Sequence, residues 1–300
     1  MSRPSRFQTV ALAAAFGALA ARAASGQNVG KTLVTLDPPG SIDTRPFGIS
    51  PTGDIVGLYI TNDGRTHGFL LSGNVYSTID VPDSTRTNAI AVNVLGDIVG
   101  RYDTKDGKAH GYVLSDGVAT TIDAPGSSGF TVVTDINPAR HVVGRYRGTD
   151  GRFHGFSLID GTFTTIDHPD GIGIQAMAIN PEDVIAGYYV DHASQFHAFL
   201  LDQDVFTTID PPGSVGTGTA AGVVKINPAG TLVGCYKTAP DGSQHGFIDR
   251  NGAFTSFDFP NAISTMNFGI NPQGDIVGLY VDREGRNHGF LAPKGTEEGK

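Results

Sequence analysis

Six histidines, His67, His110, His154, His197, His245 and His288, each open a His-Gly-Phe, His-Gly-Tyr or His-Ala-Phe tripeptide. Imidazole at six equivalent points has two uses: a ring of ligand contacts, or one hydrogen-bonding part repeated through a scaffold. Two other sets break the repetition. His168 and Asp170 precede one repeat strand, and Asp191 and His192 follow the next. Two imidazoles and two carboxylates form a donor set that a divalent metal accepts, although their spacing matches no metal motif. Asp135 and Lys225 stand where other copies carry Gly48, Ala91, Ala178 and Gly269. These charges would grip a small polar ligand or sit in water. G-x-S-x-G, H-E-x-x-H, a phosphate-binding glycine loop and a Cys–His pair are all missing.

The elements that position these residues repeat with the same period. Thr-Ile-Asp and its variants end at Asp37, Asp80, Asp123, Asp167, Asp210 and Asp258, a spacing of 43 or 44 residues stretched once to 48. Each unit reads as four short strands, A to D. A turn such as "NPAG" or "NPQG" joins A to B, with Asn first, Pro second and Gly fourth, as a type I turn prefers. "DIVGLY" is strand B, "HGFLL" strand C and "VATTID" strand D. Four strands at this period predict a β-propeller blade.

The strand count predicts closure. "TLVTLD" (32–37) is a D strand ahead of any A-B-C set, and the last set ends at "HGFLAP" without one. The N-terminal strand would therefore complete the last blade and remove the exposed sheet edges. The expected fold is all-β, a closed six-bladed propeller over 32–292. A signal peptide (1–23) and a linker (24–31) precede it, and a disordered tail (293–300) follows.

The B–C hairpin register gives the histidines a role. With Tyr59 opposite His67, Gly57 faces Phe69; the same offset holds in four other units, and in the fifth hairpin, one residue longer, both pairs shift together (Tyr236 with His245, Gly234 with Phe247). The strand glycine leaves a gap that the aromatic covers. Tyr59, Tyr102, Tyr146, Tyr189, Tyr236 and Tyr280 become cross-strand partners of the six histidines. On this reading the six His–Tyr pairs are scaffold, and ligands meet what differs between blades. That places binding on the face carrying the D–A and B–C loops. The "PPGSVGTGTAAG" loop (211–222), four residues longer than its equivalents, lies on that face.

The repeated unit, with His-Ala-Phe at 197–199, resembles the HAF-repeat family of predicted bacterial extracellular proteins over residues 32 to 292. The resemblance implies export and a propeller-like β fold. It supplies no catalytic residues.

Composition agrees. Glycine is abundant at 41 residues, and charged residues make up 17%. Arg3 and Arg6, an apolar run from Thr9 to Ala20 and "ARA" at 21–23 form a Sec-type leader pattern, predicting a secreted or periplasmic protein. Losing Arg3, Arg6 and Arg22 from 21 basic residues leaves 18 against 30 acidic, a net charge of −12. That surface argues against nucleic acid, and no other segment is long enough to insert in a membrane. The single Cys235 allows no internal disulfide.

Three functions stay open. One is a non-catalytic binding or scaffold module, expected as a monomer without cofactor, for an unidentified extracellular ligand or protein. Another is a lactonase-like hydrolase with a divalent metal in the channel, where Asn93, Asn137, Asn180, Asn227 and Asn271 offer amides. The last is a carbohydrate-binding module using Phe130, Phe153, Phe196 or Phe259.

Overall fold

The computed structural model describes residues 9–11, 32–214, 224–237 and 243–296. Among these there is no helix, and therefore none long and apolar enough to cross a membrane. In the first repeat Ser41–Ile49, Ile55–Thr61, Thr66–Ser72 and Val75–Ile79 pair antiparallel in that order. The same order recurs from Arg86–Val92 to Val118–Ile122 and from Ser127–Ile136 to Thr162–Ile166. It recurs again from Gly171–Ile179 to Val205–Ile209 and from Lys225–Ile226 to Ala253–Phe257. Ser264–Ile270, Ile276–Val281 and Asn287–Ala292 form the last set, and Val34–Leu36 pairs along its outer edge, with Val34 opposite Leu291.

The hairpin register is the expected one: Tyr59 faces His67 and Gly57 faces Phe69, as Tyr280 faces His288, and the longer fifth hairpin keeps the pairs with Tyr236 opposite His245 and Gly234 opposite Phe247. The glycine is needed on two sides. A Cβ on Gly57 would lie 2.2 Å from the Arg45 carbonyl oxygen on strand A and 2.6 Å from the Phe69 ring. The aromatic thus covers the gap while strand A presses into it.

Strand A carries one extra residue in five repeats, where the register slips between Pro46 and Gly48, Ala89 and Ala91, Val133 and Asp135, Ala176 and Ala178, and Asn267 and Gly269. Such a bulge re-aims side chains. It brings Phe47 and Phe268 together with ring centroids 5.4 Å apart, packed with Met177.

The A–B turns explain their own sequence. Their fourth residue adopts positive φ at Gly53, Gly96, Gly230 and Gly274, which glycine tolerates best. Arg140 and Asp183 hold that conformation with side chains that bond to other repeats. The turn asparagines are occupied too. Asn137 Oδ1 accepts from the Ala139 and His141 amides, and its Nδ2 donates to the Asn180 carbonyl at 3.2 Å. Asn93 and Asn227 reach the next repeat's Asn in the same way. These amides tie neighbouring turns together and are not a free ring of metal ligands.

At the margins, Thr9–Ala11 pairs along Val118–Thr120. Residues 293–296, expected in a disordered tail, instead form a turn, with Lys294 N donating to Asp275 Oδ1 at 3.0 Å. Most of the 211–222 insertion lies outside the described residues.

Candidate functional site

Each repeat histidine bonds through Nδ1 to the aspartate that ends strand D of its own sheet. The distances are 2.8 Å for His67–Asp80, 2.9 Å for His110–Asp123 and 2.7 Å for both His154–Asp167 and His197–Asp210. They are 3.0 Å for His245–Asp258 and 2.8 Å for His288–Asp37. The tyrosine ring lies against the imidazole, at 5.3 Å between centroids for Tyr59 and His67. Its hydroxyl bonds to a strand-D residue, such as Thr78 at 2.8 Å. Both strands of the hairpin are thereby fixed to strand D. The aspartates are the partners that the residue-level reading missed. The unvarying interval of 13 residues from His to Asp in five repeats was the available signal.

Three of these histidines meet a second carboxylate through Nε2: Asp150 at 3.2 Å from His154, Asp191 at 3.4 Å from His197 and Asp282 at 3.2 Å from His288. Burial pushes each imidazolium pKa down, but the paired aspartates outweigh it and raise all three above 6.5. A raised folded pKa gives stability that is fully present below the unfolded value and lost as pH rises through the folded value. Imidazole NMR should find His154, His197 and His288 titrating above 6.5, and unfolding should become easier between pH 6 and 8. Titration at or below 6.5 would mean the second carboxylates do nothing.

The His168–His192 set does not come together. His168 stacks on Tyr189 at 3.7 Å, and Phe259 stacks on Tyr280 at 3.9 Å from the same repeat position. His168 is therefore a ring in a repeated stack, and burial lowers its pKa. Its Nδ1 accepts from the Asp170 amide at 3.2 Å. Asp191 Oδ1 accepts from the Ala193 and Gln195 amides, closing its own loop. Asp170 and His192 are exposed. Among the described residues no three His, Cys, Asp or Glu side chains gather to hold a metal ion.

Asp135 and Lys225 do meet, but each other. Lys225 Nζ lies 3.2 Å from Asp135 Oδ2 and donates to the Thr134 carbonyl at 2.8 Å. Lys225 is only 6% exposed, so its charge does not sit in water. Burial holds the lysine pKa below its usual value. The aromatic candidates are likewise engaged: Phe130 with Phe153 at 5.6 Å, Phe196 with Tyr188 at 5.8 Å, and Phe259 with Tyr280.

A recess of about 290 Å³ lies open beside the bulges of strands A. Phe47, Ile90, Met177 and Phe268 supply its apolar lining, and Arg45, Arg86, Arg101 and Arg145 its charge, with no carboxylate among the lining residues. Arg86 and Thr66 are the first residues of their strands, so the mouth lies at the end carrying D–A and B–C loops. Asp43 clamps Arg45 at 2.8 Å, and Asp103 clamps Arg101 at 2.8 Å and lies 3.9 Å from Arg86. Arg145 differs. Among the described residues no carboxylate pairs with it. Its Nη1 donates to Gln175 Oε1, and its Nε is buried without a partner. Burial, and then repulsion from Arg101, push its pKa down. Asn88, also lining the recess, has a buried Oδ1 with no donor. A buried donor and a buried acceptor, both unpaired, are costly unless something fills the recess.

No family model and no curated protein match the chain. Solved structures do. A mutant Aleuria aurantia lectin in complex with Fucalpha1-6GlcNAc aligns with a TM-score of 0.56 at 11% identity, covering 87% of this chain and 95% of the lectin. The β-propeller domain of the Trilobed protease from Pyrococcus furiosus aligns with a TM-score of 0.55 at 14% identity, covering 85% and 82%. The fold is a β-propeller. A Mycobacterium tuberculosis puromycin-hydrolyzing peptidase shares it, with a TM-score of 0.53 at 13% identity, covering 87% of this chain and 54% of the peptidase. A propeller thus accompanies both sugar binding and peptidase activity, and the choice rests on the site.

Proposed function

We propose that the protein is an exported, non-catalytic member of the HAF-repeat family that binds a small acidic saccharide in the arginine-lined recess. In this reading six blades close through the N-terminal strand, and the recess is the channel mouth on the D–A and B–C face. Pairing of Val34–Leu36 with Gly289–Leu291 supports the closure. So does the contact of the sixth repeat with the first, where a Cβ on Gly269 would lie 2.8 Å from the Phe47 carbonyl oxygen. The Arg3–Ala23 leader pattern supports export.

One observation carries the ligand class: Arg145 Nε and Asn88 Oδ1 are buried and unpaired around one recess. A carboxylate would satisfy the guanidinium, a hydroxyl would donate to the amide oxygen, and a sugar's C–H face suits Phe47 and Phe268. The fucose-complexed lectin with the same fold supports a saccharide. Calorimetry with uronic-acid oligosaccharides should give saturable binding without turnover. Arg145→Ala should weaken it about 10–100-fold, the loss expected for a hydrogen bond to a charged group. His110→Ala should leave it unchanged. Equal binding of the neutral methyl ester, or none of the acid, would overturn the assignment.

A further inference from the structure

A second site lies between the first and second repeats, where repeat two carries Ala119 at a strand-D position that four repeats fill with an aromatic ring and the sixth with Leu33. The second residue of strand D is Tyr76, Phe163, Phe206 and Phe254 in repeats one, three, four and five. Each ring contacts the strand-C phenylalanine of its own sheet, with centroids 5.7, 5.3, 5.3 and 5.9 Å apart. Repeat two holds Ala119 in the same register, opposite Leu114 as Phe163 is opposite Leu158.

The consequence appears in the gap between sheets. Phe163 packs with Leu158 and with Val113, Ile122 and Val142 in the cluster joining repeats two and three. The counterparts one repeat earlier are Leu114, Leu70, Ile79 and Ile98, and all four line a cavity of about 660 Å³. The turn beside it is altered too. Repeat two reads Asn-Val-Leu-Gly where four others read Asn-Pro, and Leu95, 59% exposed, lines the same cavity. The rim mixes Arg65 and Arg86 with Asp83 and Asp116, so neither charge sign dominates.

We infer that this cavity binds an aromatic small molecule with uncharged polar substituents, its ring taking the place that Phe163 fills in the next interface. The volume suits a small organic ligand, apolar walls suit the ring, and hydroxyl and charged rim groups suit its substituents. The cavity adjoins the arginine recess, with Thr66 and Arg86 lining both, but its apolar walls are its own and its argument does not depend on what the recess binds.

The test uses protein purified from the periplasm or medium of an exporting host, with 2-naphthol as fluorescent probe. The expected result is one saturable site per chain. Ala119→Phe should lose binding more than tenfold, and Arg145→Ala should leave it unchanged. Phe163→Ala should open a matching cavity and raise the stoichiometry to two. No saturable binding, or equal binding by Ala119→Phe, would overturn the inference. Should Ala119→Phe fail to fold, the stoichiometry of Phe163→Ala decides, and a value of one counts against the site.

Discussion

Gly144→Ala is expected to lower unfolding stability by about 3 kcal/mol or more, at the upper end of what one added methyl costs in a packed core. The new Cβ would sit 2.1 Å from the Val132 carbonyl oxygen and 2.6 Å from Phe156 Cε1. Neither neighbour can yield easily. Val132 is in a paired strand, and Phe156 is 1% exposed. Relief therefore requires strand A to separate from strand B, or the ring to leave its cluster. Gly151→Ala is the control. Gly151 has φ +81 and nothing within 4 Å of an added Cβ, so alanine there meets only the left-handed backbone penalty, about 1–2 kcal/mol. Urea unfolding of both variants separates the causes. Equal losses would mean that backbone freedom, and not close approach, selects the hairpin glycine.

That contrast explains what the sequence reveals. Hairpin glycine, aromatic, tyrosine and histidine sit at fixed offsets within one unit, so their register could be worked out from numbers alone. The His–Asp bond also sits at a fixed offset, yet it stays hidden until strand D is folded back on strand C. His168 looks exceptional as a histidine and ordinary as a ring once it is set beside Phe259. The recess is a different case. Arg45 comes from strand A, whereas Arg101 and Arg145 occupy the position between glycine and tyrosine in strand B. Their convergence depends on how successive sheets stack and where each strand A bulges, and local patterning specifies neither. The same holds for Asp135 and Lys225, whose contact spans two repeats.

That ion pair carries the second large effect. Asp135→Ala is expected to destabilise the protein by about 3–5 kcal/mol at neutral pH, the cost of leaving a buried charge without its partner. Lys225 would keep only the Thr134 carbonyl, and the Ile179 amide would lose its acceptor, Asp135 Oδ2 at 3.2 Å. Replacing the pair together, as Asp135→Ala with Lys225→Met, should recover most of the loss because no uncompensated charge remains. The pH dependence fixes the cause. Burial already lowers the Lys225 pKa in the folded chain, and removing the carboxylate lowers it further. Between that depressed value and the ordinary one the unfolded chain binds more protons, so stability rises with pH. The Asp135→Ala deficit should therefore shrink as pH climbs from 7 towards 10, whereas the double variant should show no such recovery. A loss below about 1 kcal/mol, flat across that range, would match an exposed ion pair and place both charges in solvent.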